Sequence, residues 1–299
     1  MSDLIWSRDG GDWPNREASV FVEAAGIKWH VQRMGEGPPL LLLHGTGAAT
    51  HSWRDLMPVL ARQFAVIAPD LPGHGFTRSP PAHRLSLPGM ASDLGRLMRT
   101  LDVKPETAVG HSAGAAILAR MCLDDGIAPR LLVSLNGAFM PFGGVANQLL
   151  SPLTQLLVMN PWVPRLFAWQ ASSPGAVERL IGNTGSTIDA QGIALYRKLV
   201  RSPAHVGGAL QMMANWRLKP LLHDLPRLKP NLLLVVAGND RSISPDVARQ
   251  VGAIIPQATI AHLRGLGHLA HEERPQQIAD LIVRYSARTK DAAETTLAL

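Results

Sequence analysis

A chain of 299 residues with 46% hydrophobic and 17% charged content can bury a large core, which excludes a disordered polypeptide and leaves room for one large domain with or without an insertion. The single cysteine, Cys122, excludes an internal disulfide and a paired-cysteine metal site, and its apolar neighbours make it a buried structural thiol. The net charge of +6 gathers between Phe139 and Lys219, where Arg165, Arg179, Arg197, Lys198, Arg201, Arg217 and Lys219 face only Glu178 and Asp189. No dense basic cluster with interleaved aromatics accompanies that excess, which argues against nucleic acid and for an acidic ligand, an acidic partner or an anionic membrane surface.

Residues Met1–Asp9 lack a basic stretch followed by an apolar core, so no signal peptide is expected. The uncharged stretch ahead of Arg165 is broken by Pro152, Pro161 and Pro164, so no membrane span is expected, and the expected location is cytoplasmic, with peripheral membrane contact through the basic segment left open. Trp6, Trp13 and Pro14 suggest an arm packed on the core, ahead of two strands, Val20–Ala24 and Ile27–Met34, joined at Gly26. Leu40–Leu43 and Phe64–Ala68 are apolar runs suited to strands buried on both faces, separated by a helical stretch from Ser52 to Arg62. A helix over Ser86–Leu101, a strand over Glu106–Val109, a helix from Ser112 to about Asp125 and a strand over Leu131–Leu135 follow.

The alternation then stops. Between Phe139 and Lys219 there are proline-punctuated helical pieces rich in large apolar residues, among them Phe142, Met159, Trp162, Phe167, Trp169, Met212, Met213 and Trp216. It resumes with a strand over Leu232–Val236, a helix over Pro245–Ile255, a strand over Thr259–Leu263 and a helix over Pro275–Arg288, with a frayed tail after Thr289. Such alternation implies an α/β fold with a mostly parallel sheet covered on both faces, whose chemistry gathers at the carboxyl ends of the strands.

Three such ends carry reactive side chains. Gly110-His111-Ser112-Ala113-Gly114 fits a strand-to-helix elbow that exposes a serine hydroxyl between two glycines. Serine needs a base, an orienting acid and oxyanion donors. His268, after the last strand, is the candidate base. Its rivals are His271, expected on the surface at a helix start, His262, within a strand, and His111, which would point away from the hydroxyl. Asp240 is the candidate acid; Asp246 is the better cap for the following helix, and the alternative acid position after Leu135 holds Asn136, which carries no charge. The backbone N–H groups of Thr46 and Ala113 are the oxyanion donors, with His44 bracing the first of them. No cofactor is implied, and no cluster has metal-ligand spacing.

His44-Gly45-Thr46-Gly47, Asp70-Leu71-Pro72-Gly73-His74-Gly75, the elbow, Gly238-Asn239-Asp240 and Gly267-His268 together resemble the α/β-hydrolase family over nearly the whole chain. That resemblance implies an eight-stranded sheet, a core of residues 1–138 and 220–299, a helical cap at 139–219, and Ser112 as nucleophile. The serine argues against the dehalogenases and epoxide hydrolases of the family, which carry aspartate there. More narrowly, Asp12-Trp13-Pro14-Asn15-Arg16, Gly26-Ile27-Lys28-Trp29-His30-Val31-Gln32 and Gly45-Thr46-Gly47-Ala48 with His51-Ser52-Trp53-Arg54-Asp55 resemble the magnesium-chelatase accessory proteins of bacteriochlorophyll synthesis. That resemblance implies a pathway and a partner, the magnesium-chelatase subunits. A cap rich in Trp, Met and Arg would suit a hydrophobic, anionic substrate such as a porphyrin intermediate, held at cap and rim by His44, His111, Trp162, Trp169, Met212 and Trp216. The expected function is a serine hydrolase of ester or related acyl bonds in or beside the chelatase step. A non-catalytic tetrapyrrole-binding protein, and a generic esterase, acyl transferase or haloperoxidase-like enzyme, stay open as alternatives.

Overall fold

The computed structural model describes residues 3–140, 160 and 162–297, with side chains described to residue 289. A short helix α1 (Trp6–Asp9) leads into the hairpin β1 (Ser19–Ala24) and β2 (Ile27–Met34). Then come β3 (Pro39–Leu43), α2 (Leu56–Leu60), β4 (Ala65–Pro69), α3 (Leu87–Thr100), β5 (Thr107–His111), α4 (Ala113–Leu123) and β6 (Leu131–Leu135). The helices α5 (Trp162–Ala171), α6 (Ala176–Asn183), α7 (Ala190–Val200), α8 (Pro203–Ala214) and α9 (Lys219–Asp224) precede the next strand. Strand β7 (Asn231–Ala237), α10 (Asp246–Ile254), β8 (Thr259–Leu263), α11 (Ala270–Glu273) and α12 (Pro275–Leu297) complete the chain.

The eight strands form one sheet in the order β1-β2-β4-β3-β5-β6-β7-β8, parallel from β4 to β8 and antiparallel at β1/β2 and β2/β4. Side chains alternate along a strand. Leu41 and Leu43 therefore pack with α3 and α4 on one face, and Leu40 and Leu42 with α2 and α12 on the other. From β3 the chain moves outward to β4 and then returns to the other side of β3 as β5, with Leu43 opposite Gly110. The carboxyl ends of β3 and β5 thus flank the reversal in strand order, where ligands bind in open α/β sheets.

The helix expected over Ser52–Arg62 is divided into a 3-10 turn at Thr50–Trp53 and α2. Pro58 has no N–H to donate to the carbonyl of Arg54; that carbonyl accepts from Asn15 Nδ2 instead, at 3.1 Å. The expected fraying after Thr289 is also corrected, because α12 runs on to Leu297 through residues that favour helix. Asp246 does not cap α10: Pro245 stands at the cap position and Asp246 lies in the first turn, where its charge complements the helix dipole. Trp13 is buried against α7, as an arm packing on the core requires. Phe142 and Met159 lie outside the described residues. Among the described residues no helix is long and apolar enough to cross a membrane.

Candidate active site

Ser112 has φ 51° and ψ −117°, on the left-handed side of the map where a residue with a Cβ is strained by about 1–3 kcal/mol. The elbow leaves no room on either side. A Cβ on Gly110 would stand 2.4 Å from the nitrogen of Ala115, and one on Gly114 would stand 2.3 Å from the carbonyl oxygen of Leu43. The loop after β3 lies against the elbow, since a Cβ on Gly45 would come within 3.0 Å of Ser112 Cβ. That approach brings the Gly45-Thr46 backbone and the start of α4 to the same spot.

Asp240 and His268 stand together. His268 Nδ1 and Asp240 Oδ2 are 2.8 Å apart, with the Asp240 side chain 1% and the His268 side chain 9% exposed. The other oxygen of Asp240, Oδ1, accepts the N–H groups of Ser242 (2.7 Å) and Ile243 (2.9 Å). The carboxylate both starts a turn and holds the imidazole, one oxygen for each task. Asn136, at the alternative acid position, ties the two loops together. Its Nδ2 donates to the carbonyls of Gly267 (3.2 Å) and His268 (2.9 Å), and its Oδ1 accepts the N–H of Ala237 (2.9 Å).

Two further braces were not evident in the sequence. The turn Thr184-Gly185-Ser186, between α6 and α7, reaches both loops. The Thr184 carbonyl accepts from the N–H groups of Arg241 (3.1 Å) and His268 (3.3 Å), and Ser186 Oγ accepts the N–H of Leu269 at 2.8 Å. A Cβ on Gly185 would meet the Asn239 carbonyl at 2.0 Å, which explains a glycine there. The turn composition of Asn183-Thr184-Gly185-Ser186 is the local signal that marks it. The second brace is Glu272 on α11, four residues past His268. It accepts from Ser52 Oγ (2.6 Å), Arg54 Nη1 (2.6 Å) and the Tyr196 hydroxyl on α7 (2.7 Å), all buried. Burial pushes the Glu272 carboxyl up, against the pull of Arg54 and the two hydroxyls.

Removing Glu272 would leave the Arg54 guanidinium buried with only Asp55 and Asp189, both half exposed, beside it. Glu272→Ala is expected to destabilise the chain by about 3 kcal/mol, and Glu272→Gln by less. Urea unfolding of the two variants checks this, and an unchanged midpoint for Glu272→Ala would count against a charged clamp.

Histidines fill the space under the site. His44 donates from Nδ1 to the Gly45 carbonyl (2.8 Å) and accepts the Leu71 N–H at Nε2 (2.9 Å), so it braces the loop before Thr46. His111 donates from Nε2 to the His268 carbonyl at 3.0 Å and packs at a tilt against the rings of His268 and His271, with centroids 4.6 and 4.5 Å away. His271 is buried between His111 and Trp53, with Nε2 2.8 Å from Ser52 Oγ. That corrects its expected surface position, because the neighbouring Glu272 is drawn inward by Arg54. His262, in β8, is exposed. His205 on α8 donates from Nε2 to the Gly47 carbonyl and accepts the Gly75 N–H at Nδ1, both at 3.1 Å, pinning α8 to the loops after β3 and β4. Burial holds His44, His51, His74, His111, His205 and His271 below the ordinary histidine value, His205 at about 4 and His271 at about 3. Asp70, just past the end of β4, is held below the usual carboxylate range despite burial, by the His30 ring bonded to it and by the N–H groups of Thr50 and Phe76.

The six residues expected at cap and rim divide accordingly. His44 and His111 are buried, His44 with both nitrogens and His111 with Nε2 bonded to backbone groups, which corrects them from substrate contacts to supports. Trp216 is buried among apolar side chains of the core. Met212 is fully buried, and its Sδ accepts the Thr46 hydroxyl at 3.5 Å, so α8 sits directly on the loop after β3. Trp162 and Trp169 point to solvent instead. Cys122 is buried, and burial pushes its thiol up to about 12, an inert structural position. Among the described residues no group of three or more His, Cys, Asp or Glu is placed to hold a metal ion.

Residues 40–281 match the sequence profile of the Alpha/beta hydrolase family. The magnesium-chelatase 30 kDa subunit of Rhodobacter capsulatus is 39% identical over 274 residues, spanning 91% of this chain and 95% of that protein. A putative lipase from Acinetobacter baumannii superimposes with a TM-score of 0.76 at 20% identity, covering 92% of each chain. The epoxide hydrolase CorEH superimposes with a TM-score of 0.75 at 21% identity, over 90% of this chain and 98% of that one. At such identities the structural likeness speaks for the fold alone.

Proposed function

Because the chain belongs to the alpha/beta hydrolase family, and within it to the family of the magnesium-chelatase 30 kDa subunit, we propose that it is a serine hydrolase of ester or related acyl bonds acting at or beside the chelatase step of bacteriochlorophyll synthesis. The observation that carries this is the buried Asp240–His268 pair at 2.8 Å, set beside an elbow that forces Ser112 into a strained backbone conformation. In the proposed reaction the Ser112 hydroxyl attacks the acyl carbon, and His268 Nε2 takes its proton. Asp240 keeps the Nδ1 proton in place and stabilises the imidazolium. The N–H groups of Thr46 and Ala113 hold the oxyanion. His268 then returns the proton to the leaving alcohol, and water, deprotonated by the same ring, releases the acid and restores Ser112.

Residues 139–219 would act as the cap, with α8 and the turn Thr184–Ser186 as its seat on the catalytic loops. A hydrophobic, anionic molecule such as a porphyrin intermediate would suit the basic excess and the large apolar residues between Phe139 and Lys219. The relative's designation as a chelatase subunit favours one alternative, a protein that holds a tetrapyrrole or assists the chelatase without hydrolysis. Pigment formation in cells whose only copy carries Ser112→Ala separates the two. Loss of pigment with the protein retained is expected for a hydrolase; normal pigment would favour holding without hydrolysis.

A further inference from the structure

Helix α5 is built inside out. On its inner side it buries the small residues Pro164 and Ala168, and Pro164 lies against Gly207 of α8, where a Cβ would meet it at 3.4 Å. At 100° per residue, Trp162, Leu166 and Trp169 fall on the opposite side. They are 71%, 58% and 69% exposed, and Phe167 beside them is 48% exposed. Leu180 on α6 adds to the group, so five of the eight exposed large apolar side chains among the described residues sit on these two consecutive helices. An ordinary amphipathic helix buries its large apolar residues; this one offers them to the outside.

Charge accompanies the stripe. The Arg165 guanidinium lies over the Trp162 ring, 5.3 Å from its centroid, and Arg179 is exposed on α6. No acidic residue occurs from Trp162 to Val177, and Glu178 is engaged by Arg197 at 2.6 Å. We propose that α5 is a membrane-docking helix, which lies in the interface of an anionic lipid leaflet with Trp162, Leu166 and Trp169 dipped between the acyl chains and Arg165 and Arg179 among the headgroups.

The chemistry favours lipid over protein. Tryptophan, apolar in body and polar at one edge, suits the boundary between headgroups and hydrocarbon. Each basic side chain near an anionic bilayer raises affinity about fivefold. A second copy docked symmetrically would bring Arg165 and Arg179 of both chains together, like charge on like. A single convex helix also presents far less than the ~800 Å² per partner of a stable protein interface. Because α5 rests on α8, and α8 rests on Thr46 and Gly47, a docked helix stands one layer from the catalytic loops.

The test is sedimentation with vesicles of phosphatidylcholine alone and of phosphatidylcholine with phosphatidylglycerol. The chain is expected to bind the anionic vesicles, less so as salt rises, and weakly or not at all to the neutral ones. Trp162→Ser with Trp169→Ser is expected to weaken that binding roughly tenfold or more, with the thermal midpoint unchanged because both side chains face solvent. Ser112→Ala protein should bind as the parent does, so failure of the serine chemistry leaves this inference standing. Absence of binding to anionic vesicles at low salt, or equal binding by the double variant, would overturn it. So would a dimer in solution that the double variant abolishes, which would assign the stripe to self-association.

Discussion

Ser112→Ala is expected to lower the turnover of an activated acyl ester by roughly three to six orders of magnitude and to leave folding stability within about 0.5 kcal/mol. The alanine keeps the Cβ, so it keeps the strained backbone at φ 51° and removes only the hydroxyl. The other hydroxyl in the β3 loop, that of Thr46, is directed to Met212 Sδ at 3.5 Å, and His44 Nδ1 and His111 Nε2 are bonded to backbone carbonyls. Asp240→Asn provides the matching control. The new side chain can still accept the Ser242 and Ile243 N–H groups through Oδ1, so the turn survives. Its amide then faces His268 Nδ1 and favours the wrong tautomer, with an expected loss of about 10⁴ in turnover. A fall in activity on Asp240→Asn together with a collapse in stability would indicate a purely structural aspartate. Stopped assays at saturating ester, paired with urea unfolding, read both quantities.

Acidification is expected to cost the chain about 5 kcal/mol of stability between pH 7 and about pH 4.5 from His205 and His271 alone. Their folded values are about 4 and about 3, both depressed from the ordinary 6.5 chiefly by burial. Between those values and 6.5 each ring is neutral when folded and protonated when unfolded, so unfolding takes up a proton. The contribution is whole above pH 6.5, falls as the pH drops, and levels off only when the folded ring itself titrates. A proton on either ring would also break specific contacts. His205 Nδ1 would no longer accept the Gly75 N–H, and His271 would become a buried cation close to Arg54. His44, His51, His74 and His111 act in the same sense, and Asp70 adds a further loss below the carboxylate range. The raised carboxyl of Glu272 offsets part of it. Urea unfolding at a series of pH values measures the slope; a midpoint independent of pH from 7 to 5 would contradict neutral buried rings.

What could be read in the sequence was what local turns encode. The two glycines around Ser112 are required by backbone atoms within 2.4 Å, and such steric demands write themselves into a five-residue pattern. The strand ends that carry Asp240 and His268 are marked by apolar runs and by the turn residues after them. Side chains that matter through distant packing left no such mark. Glu272 meets partners at Ser52 and Tyr196, far away along the chain, and its neighbour His271 is buried only because of them. Trp162 and Trp169, expected at the site as broad contacts for a flat apolar ligand, point out instead, because small residues take the inner side of α5. The basic segment is likewise partly neutralised by pairing, Arg197 with Glu178 and Lys198 with Asp12.

In the proposed mechanism three loops, distant in sequence, make one hydroxyl reactive. Covalent labelling with a fluorophosphonate probe, followed by mass spectrometry of the modified peptide, tests it most directly. The expected result is a single adduct on Ser112 that is absent from Ser112→Ala and strongly slowed in Asp240→Asn. A folded chain that takes no label at Ser112, or labels equally fast without the Asp240 carboxylate, would contradict it.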